Sequence, residues 1–436
     1  MKSPSFFEID IWILLSTISL VVIGILFIYS SGITSQRIVV SDEYIKQIIW
    51  GSVGLIVLIC IVFLLDYSRL QDWAEYIYIF FIFLLLITLF IGKVVHGAKS
   101  WIPFFVFGIQ PSEFAKISTI LLLAKHLARN EERVQRITEF LKGLGIVLFP
   151  VFLILMQPDL GTALVYIPIF LIMTYVAGCK KRHILFFLLT GIPLIILSVL
   201  PAWENYMNGK KIPFSSIFIE TDLVKYTISA LVLILALALL GYYVFKKKYY
   251  YWIVYSVSIL VFSITGSMGA RFLLKEYQIM RLIVFLNPGV DPRGAGWNII
   301  QSITAVGSGG LFGKGFLQGT QSQYRFLPQQ STDFIFSIIA EEWGFIGGML
   351  VFTLFLIIML RGLAIILSTK DPFAIYTGAG IIGMIFFHFI VNIGMTMGIM
   401  PITGIPLFFL SYGGSSLWTA LIGIGILLNI NMRKYR

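Results

Sequence analysis

The sequence predicts an all-α polytopic membrane protein with about twelve transmembrane helices. Its 436 residues are 58% hydrophobic and only 12% charged, and the mean hydropathy of +0.93 is far above that of a soluble domain. Apolar stretches long enough to cross a bilayer recur along the whole chain. Because little remains for a separate soluble catalytic domain, we expect residues 1–436 to form a single transmembrane domain.

Twelve apolar stretches have the length of a membrane span. They lie near residues 9–30, 46–65, 74–93, 112–128, 138–156, 159–178, 183–200, 225–245, 250–269, 333–360, 372–396 and 412–430. The residues before the first stretch are few and weakly charged, and no small-residue cleavage site follows it. We therefore expect a retained first helix rather than a cleaved signal peptide.

The positive charges predict the orientation of the spans. With a cytoplasmic N-terminus, the inside segments hold Lys125, Arg129, Arg133, Arg136, Lys142, Lys180, Lys181, Arg182, Lys246, Lys247, Lys248, Arg433, Lys434 and Arg436. Short cytoplasmic loops are rich in Lys and Arg, so both termini are predicted to be inside. The same loops account for the net charge of +11, and nucleic acid is excluded as a partner on that ground.

This orientation places residues 94–111, 201–224 and about 270–332 outside. The last segment is about 60 residues long, and loops of that length are usually functional or disordered. It contains many apolar side chains, among them Trp297, Phe312 and Phe326, which argues for order. We expect it to fold back on the membrane surface as short amphipathic or re-entrant pieces.

The glycine cluster from Gly307 to Gly315 has two interpretations. Bare backbone amides can cradle an anion, but a Walker loop requires a glycine where Ser308 stands and a hydroxyl residue where Gly315 stands. The favoured interpretation is a set of tight turns that lets the loop pack on helix ends. Binding of an outer-leaflet phosphate is the alternative.

Ionisable residues at membrane depth are costly and are therefore functional candidates. Glu113 in the first turn of the fourth span suits the positive end of the helix dipole, whereas Lys116 does not. One interpretation pairs Glu113 with Lys116, three residues further along the helix. The other has Lys116 facing an anionic group from another helix or a substrate.

Asp333 stands where the long outer segment enters the tenth span. A lone aspartate there is ordinarily a helix-start residue favoured by the dipole. Its position after an ordered outer segment, at the same outer level as Glu113 and Lys116, favours a functional role. A carboxylate at an apolar boundary also has a tunable pKa, which a general base requires.

Other polar groups in the apolar stretches have less specific patterns. Asp159 suits a turn or a helix cap, and Glu341 and Glu342 suit structural hydrogen bonding. Asn392 and the Ser411–Tyr412 pair fit close packing and a cavity lining equally well. The four histidines, His96, His126, His183 and His388, show no metal-binding spacing.

Several strings resemble the SEDS family of bacterial membrane proteins, and within it the RodA branch. They are Gln110–Lys116, Gln157–Thr162, Asn287–Pro288 with Asp291–Gly296, Gly307–Gly315, Gly319–Gln323, Phe326–Pro328, Thr332–Phe336 and Ser411–Ser415. They occur in order along nearly the whole chain. The family usually has ten spans, so residues 201–270 are interpreted as an inserted outer segment followed by an extra helical hairpin.

The resemblance implies a peptidoglycan glycosyltransferase of the inner membrane that polymerises lipid II on its outer face during cell elongation. The implied partners are a class B penicillin-binding transpeptidase and other membrane proteins of the elongation complex. The family's essential carboxylate corresponds to Asp333 and its basic residue to Lys116. Glu113, Trp101 in the first large outer loop, and Arg281 correspond to its supporting residues.

The implied reaction is inverting and uses an undecaprenyl-pyrophosphate-linked glycan as donor. Asp333 would take the proton of the acceptor hydroxyl, and Lys116, Arg281 or a divalent cation such as Mg²⁺ or Mn²⁺ would counter the developing charge. The sequence leaves the metal requirement open. Two rivals also remain: a flippase for lipid-linked precursors, and a non-catalytic scaffold for a transpeptidase.

Overall fold

The computed structural model describes residues 9–95, 97–104, 107–206, 215–292 and 294–434. These residues form two compact units. The first unit contains residues 1–179 and 297–436, and the second contains residues 180–296. Arg293, Arg436, His96 and part of the predicted 201–224 loop lie outside the described residues.

The described residues contain sixteen α-helices and three short strands. In chain order the elements are α1 (Ile11–Ser31), α2 (Glu43–Leu64), α3 (Tyr67–Ile91), β1 (Lys93–Val95), β2 (Ala98–Phe104), β3 (Phe107–Ile109), α4 (Pro111–Arg129), α5 (Ile137–Met156), α6 (Leu160–Val176), α7 (Lys181–Tyr206), α8 (Ser216–Ile219), α9 (Thr221–Phe245), α10 (Lys248–Leu273), α11 (Glu276–Leu286), α12 (Ala295–Ser308), α13 (Thr320–Gln323), α14 (Ile335–Ser368), α15 (Pro372–Thr396) and α16 (Gly414–Arg433).

The all-α polytopic fold is confirmed. Each of the twelve predicted stretches falls on a helix, and ten of the described helices are long and apolar enough to cross a membrane. The other two are α4, which carries four charged residues, and α6, which is apolar but has only 17 residues. The count of twelve crossings and the cytoplasmic position of both termini stay predictions.

Polar contacts at both ends hold α1 against α14 in an antiparallel arrangement. At the start of α1, Asp10 accepts a hydrogen bond from the Ile13 amide and forms an ion pair with Arg361 at 2.6 Å. At the other end, the Ser30 hydroxyl donates to the Glu342 carboxylate. The two contacts are twenty residues apart on α1, or about 30 Å at 1.5 Å per residue, which is the thickness of a bilayer core.

Helices α15 and α16 form the centre of the first unit. More than 70% of the apolar window of each is buried, whereas the corresponding share for α3 is 17%. Close packing needs small residues here: a Cβ on Gly414 would lie 2.8 Å from the Trp50 ring, and one on Gly24 would lie 2.7 Å from the Phe409 carbonyl oxygen. The central helices therefore support the polar groups described below.

A small antiparallel sheet, in the order β1-β2-β3, follows α3. The sheet was not expected from the sequence, although this segment is predicted to lie outside. The Lys99 ammonium donates to the carbonyls of Leu89 and Phe90 at 2.8 and 2.9 Å and so caps the end of α3. The Lys99 amide donates to the Gln157 carbonyl at 3.0 Å, which fixes the sheet against the turn between α5 and α6.

Helix α14 breaks at Gly344, where φ is 65° and ψ is −158°. The glycine cluster fills the break, because the amides of Phe345 and Ile346 donate to the carbonyls of Gly310 and Leu311 at 2.9 and 3.2 Å. A Cβ on Gly313 would lie 2.1 Å from the Glu342 carbonyl oxygen. The tight-turn interpretation of the cluster is therefore confirmed, although its contact is a helix break rather than a helix end.

This break predicts a specific intolerance of side chains. Gly344→Ala should lower the thermal stability of the purified protein, because its positive φ strains an L-residue and its Cβ would meet the Gly313 nitrogen at 2.3 Å. Gly348→Ala on the same helix is the matched control, since the nearest atom to its Cβ is 3.6 Å away. Equal melting temperatures for the two variants would contradict the assigned strain.

Candidate active site between α4, α15 and the start of α14

The first polar group of the site is the pair at the beginning of α4. Pro111 occupies the first turn, and Glu113 and Lys116 follow, with side chains 3% and 0% exposed. The Lys116 ammonium donates to both carboxylate oxygens of Glu113 at 2.8 and 2.9 Å. The sequence left open whether Lys116 pairs with Glu113 or faces an anionic group from elsewhere, and in the structure it pairs with Glu113.

The second partner of Lys116 comes from α15. His388 Nε2 lies 3.2 Å from the Lys116 ammonium, and His388 Nδ1 lies 2.9 Å from the Pro406 carbonyl oxygen. A carbonyl only accepts hydrogen bonds, so Nδ1 carries the proton and Nε2 accepts from Lys116. The imidazole stacks on the Phe408 ring with centroids 3.6 Å apart. Lys116 therefore has a carboxylate, a neutral imidazole and an aromatic ring around a fully buried charge.

Asp333 lies two residues before Ile335, the first residue of α14, in agreement with a span predicted to begin near residue 333. Its side chain is partly exposed, whereas Phe334 and Ile335 are buried. The Asn392 side-chain amide donates to the Asp333 carbonyl at 2.9 Å and to the Ile405 carbonyl at 2.8 Å. The backbone of Asp333 is thus fixed at the edge of the buried region.

The segment between α15 and α16 holds the residues just before Asp333. The Tyr412 amide donates to the Ser331 carbonyl at 2.8 Å. A tyrosine phenol is neutral near pH 7, so Tyr412 is no candidate for a general base.

A second hydrogen-bonded group joins the motifs at the starts of α4, α6 and α16. Asp159 caps α6 by accepting from the Thr162 amide at 3.1 Å, as the sequence predicts, and it also accepts from the Gln110 side chain at 2.9 Å. The backbone amide of Gln110 donates to the Ser415 hydroxyl at 3.0 Å. Three strings that are far apart in the sequence thus meet around the beginning of α4.

The remaining predicted supporting residues occupy different parts of the structure. Trp101 is half-buried on β2, where its ring limits the space beside Gly108, since a Cβ there would lie 2.9 Å from the indole. Arg281 belongs to the second unit, on α11, with its guanidinium 5.6 Å from the centre of the Tyr277 ring. Their contacts with substrate stay predictions.

Glu341 and Glu342 are structural hydrogen-bonding groups, as the sequence suggests. The Glu341 carboxylate accepts from the Lys314 ammonium at 2.7 Å and from the Thr320 hydroxyl at 3.0 Å. The Glu342 carboxylate accepts from the Leu317 amide at 3.1 Å. These bonds attach the chain that follows the glycine cluster to α14.

The described residues contain no group of three or more His, Cys, Asp or Glu side chains arranged to hold a metal ion. The Glu113 carboxylate is already paired with the Lys116 ammonium. The described residues therefore do not form a cation site made of protein ligands alone.

Sequence reasoning missed His388 as part of the site. A signal was present in the sequence: His388 and Asn392 are strongly polar side chains in a mostly apolar stretch and stand one helical turn apart. Their partners, Lys116 and Asp333, are 272 and 59 residues away. Spacing along the chain does not reveal contacts at that separation.

Together, these features define a polytopic α-helical membrane protein whose polar residues meet where several helices begin or break. The chain belongs to the FtsW/RodA/SpoVE family of cell cycle proteins, whose model matches residues 11–215 and 202–436. The resemblance to the SEDS family is thereby confirmed.

Relatives match over almost the whole chain. Peptidoglycan glycosyltransferase RodA of Treponema pallidum (strain Nichols) is 49% identical over 427 residues, which are 98% of each chain. Stage V sporulation protein E of Bacillus subtilis (strain 168) is 34% identical over 97% of this chain and 96% of its own. Peptidoglycan glycosyltransferase MrdB of Escherichia coli (strain K12) is 32% identical over 98% of this chain and 94% of its own.

Solved structures share the fold. One chain, from work on the structural coordination of polymerization and crosslinking by a peptidoglycan synthase complex, has a TM-score of 0.68 and 26% identity over 98% of this chain and 99% of its own. The rod shape determining protein RodA of Thermus thermophilus has a TM-score of 0.61 and 23% identity over 99% of this chain and 100% of its own. At that identity the second match bears on the fold alone.

The buried pair predicts an asymmetry between single and double variants. Lys116→Met should lower stability strongly, by about 3–5 kcal/mol, because it leaves the buried Glu113 carboxylate without its cation. Glu113→Leu/Lys116→Met removes both charges and should be more stable than Lys116→Met. Thermal unfolding in detergent measures both, and a double variant less stable than the single one would contradict the pairing.

Proposed function

We propose that this chain polymerises lipid II into glycan strands on the extracytoplasmic face of the cytoplasmic membrane, for cell elongation and rod shape. The chain is a peptidoglycan glycosyltransferase: the observation that carries this is its 49% identity, over 98% of both chains, to a RodA that bears that name. The outward position of the site follows from the predicted orientation of the spans.

Asp333 is the proposed general base. Its carboxylate takes the proton of an acceptor sugar hydroxyl as the oxygen attacks the anomeric carbon of the donor. The bond from that carbon to the lipid pyrophosphate breaks, and the pyrophosphate leaves with the bonding electron pair. Attack from the opposite side converts an α-linked donor into a β-linked product. The partly exposed side chain of Asp333 on a fixed backbone supports this role.

The buried cation has an indirect role in this proposal. Lys116 is fully buried, and its ammonium is engaged by Glu113 and His388. It therefore supports the site by holding α4 to α15, instead of forming a direct ion pair with the substrate. Arg281 and Trp101 remain the proposed substrate contacts, with Arg281 directed to the pyrophosphate.

The proposed partner is a class B penicillin-binding transpeptidase, together with other membrane proteins of the elongation complex. Support comes from the similarity to a solved chain from a peptidoglycan synthase complex in which polymerisation and crosslinking are coordinated. Coupling the two reactions would let new glycan be crosslinked as it forms. Residues 270–332 are proposed to lie on the outer side, where both reactions would take place.

Residues 201–270 are proposed to be an insertion into a ten-span family core. One observation supports this: α9 and α10 are two long apolar helices separated by a two-residue connection. Adding two spans preserves the orientation of everything downstream.

The test is lipid II polymerisation by the purified protein with its partner transpeptidase, in liposomes. Asp333→Asn should reduce glycan synthesis by at least about a hundredfold, because removal of a general base costs about 10²–10⁴ in rate. The control is Asp371→Asn, since Asp371 caps α15 by accepting from the Phe373 amide and Asn also caps helices well. Each variant is first shown to be folded and partner-bound.

The outcomes separate the rival functions. Equal polymer from wild type and Asp333→Asn would remove Asp333 as the base. Lipid II movement across the bilayer without any polymer would support a flippase. A chain that binds the transpeptidase but neither polymerises nor moves lipid II would be a scaffold.

A further inference from the structure

Helix α15 carries two buried polar side chains that the proposed reaction does not yet use. His388 and Asn392 are 1% and 0% exposed, and residues four apart lie on the same face of a helix. Both bind groups outside α15: His388 contacts Lys116 and Pro406, and Asn392 contacts Asp333 and Ile405. One face of α15 therefore contacts both the buried cation and the proposed base.

The two side chains bind the consecutive carbonyls of Ile405 and Pro406. Asn392 donates to Ile405 at 2.8 Å and His388 donates to Pro406 at 2.9 Å. Both carbonyls belong to the irregular segment between α15 and α16, where carbonyls have no helical partner. Because both carbonyls are bound from the same helix face, this segment is fixed to α15 at two points.

Each side chain also has a geometry that few other residues reproduce. His388 accepts through Nε2 and donates through Nδ1, with its ring plane fixed by Phe408 at 3.6 Å. The Asn392 amide nitrogen uses both of its hydrogens on carbonyls. Asn392 Oδ1 has no hydrogen-bond partner among the described residues, so the donors are the part of the side chain that the structure uses.

We infer that His388 and Asn392 are positioning residues for the glycosyl transfer, because together they hold the backbone of Asp333 and the ammonium of Lys116 in a fixed relation. This inference rests on the proposed function. A shift of the backbone at residues 405–406 would move both groups, and a displacement of about 1 Å at a reacting group costs about a hundredfold in rate.

A positioning role and a packing role predict different activities for different substitutions of His388. Gln at 388 can accept from Lys116 through its oxygen and donate to Pro406 through its nitrogen, whereas Leu fills similar space and does neither. Asn392→Leu keeps the number and branching of the side-chain heavy atoms and removes both donors. His388→Gln should therefore retain most of the rate that His388→Leu loses.

The chain offers matched controls in the same unit. Asn429 is fully buried, and its amide donates to the carbonyls of Ile61, Val62 and Leu65. His126 lies 3.1 Å from the Glu139 carbonyl oxygen through Nε2. Asn429→Leu and His126→Leu remove comparable hydrogen bonds away from Asp333, so they report the cost of lost packing and hydrogen bonding alone.

The experiment measures kcat and KM for lipid II polymerisation by the full chain with its partner transpeptidase, per folded enzyme. Asn392→Leu and His388→Leu should lower kcat about tenfold to a hundredfold, with KM within about threefold of wild type, because the substrate contacts remain. His388→Gln, Asn429→Leu and His126→Leu should keep kcat within about threefold. Thermal unfolding of each variant separates lost stability from lost rate.

Three results would overturn the inference: a kcat within about threefold of wild type in His388→Leu or Asn392→Leu, equal losses in His388→Gln and His388→Leu, or equal losses in the controls. If Asn392→Leu does not fold, Asn392→Ser is measured instead, and a wild-type kcat there would also overturn it. A wild type that makes no glycan would contradict the proposed function itself. An active wild type with an inactive Asp333→Asn leaves that function standing whatever the α15 variants show.

Discussion

The structure of the site depends on a single charge, the ammonium of Lys116, which is held out of water inside a helix bundle. Moving an ammonium into a low-dielectric interior is expensive unless its hydrogens are bound and its charge is balanced. Glu113 provides the balancing negative charge, His388 provides a neutral hydrogen-bond acceptor, and Phe408 provides an aromatic ring face. This requirement joins α4 to α15 and to the segment before α16, and Asp333 depends on the same segment through Asn392.

A second constraint is the treatment of irregular backbone among apolar helices. Unpaired amides and carbonyls at membrane depth are tolerated only where other protein groups satisfy them. The break at Gly344 exposes such groups, and the glycine cluster binds them with its own backbone. The carboxylates of Glu341 and Glu342 then bind the chain that follows the cluster. The glycines and the two carboxylates therefore together satisfy the hydrogen bonds of the irregular backbone around the break.

The sequence predicts the fold well because the physics of a span is local. Hydropathy alone places a helix at each of the twelve stretches, and charge at depth selects Glu113, Lys116 and Asp333 for attention. The break in α14 is not predictable in the same way, since glycine within an apolar run is compatible with both a helix and a turn. The contact between Lys116 and His388 joins residues 272 positions apart, and the sheet β1-β2-β3 arises in a segment with weak alternation. Such features depend on tertiary contacts.

The two polar contacts between α1 and α14 also make this pair of helices a measure of membrane thickness. Ser30 with Glu342 and Asp10 with Arg361 mark the two ends of an apolar length of about 30 Å. A lipid bilayer much thinner or thicker than this would have to deform around the pair, at a cost of a fraction of a kcal/mol for each ångström of mismatch. The length of the acyl chains in the surrounding membrane therefore affects the energy of this helix pair. The break in α14 lies beside one of the two contacts, two residues after Glu342.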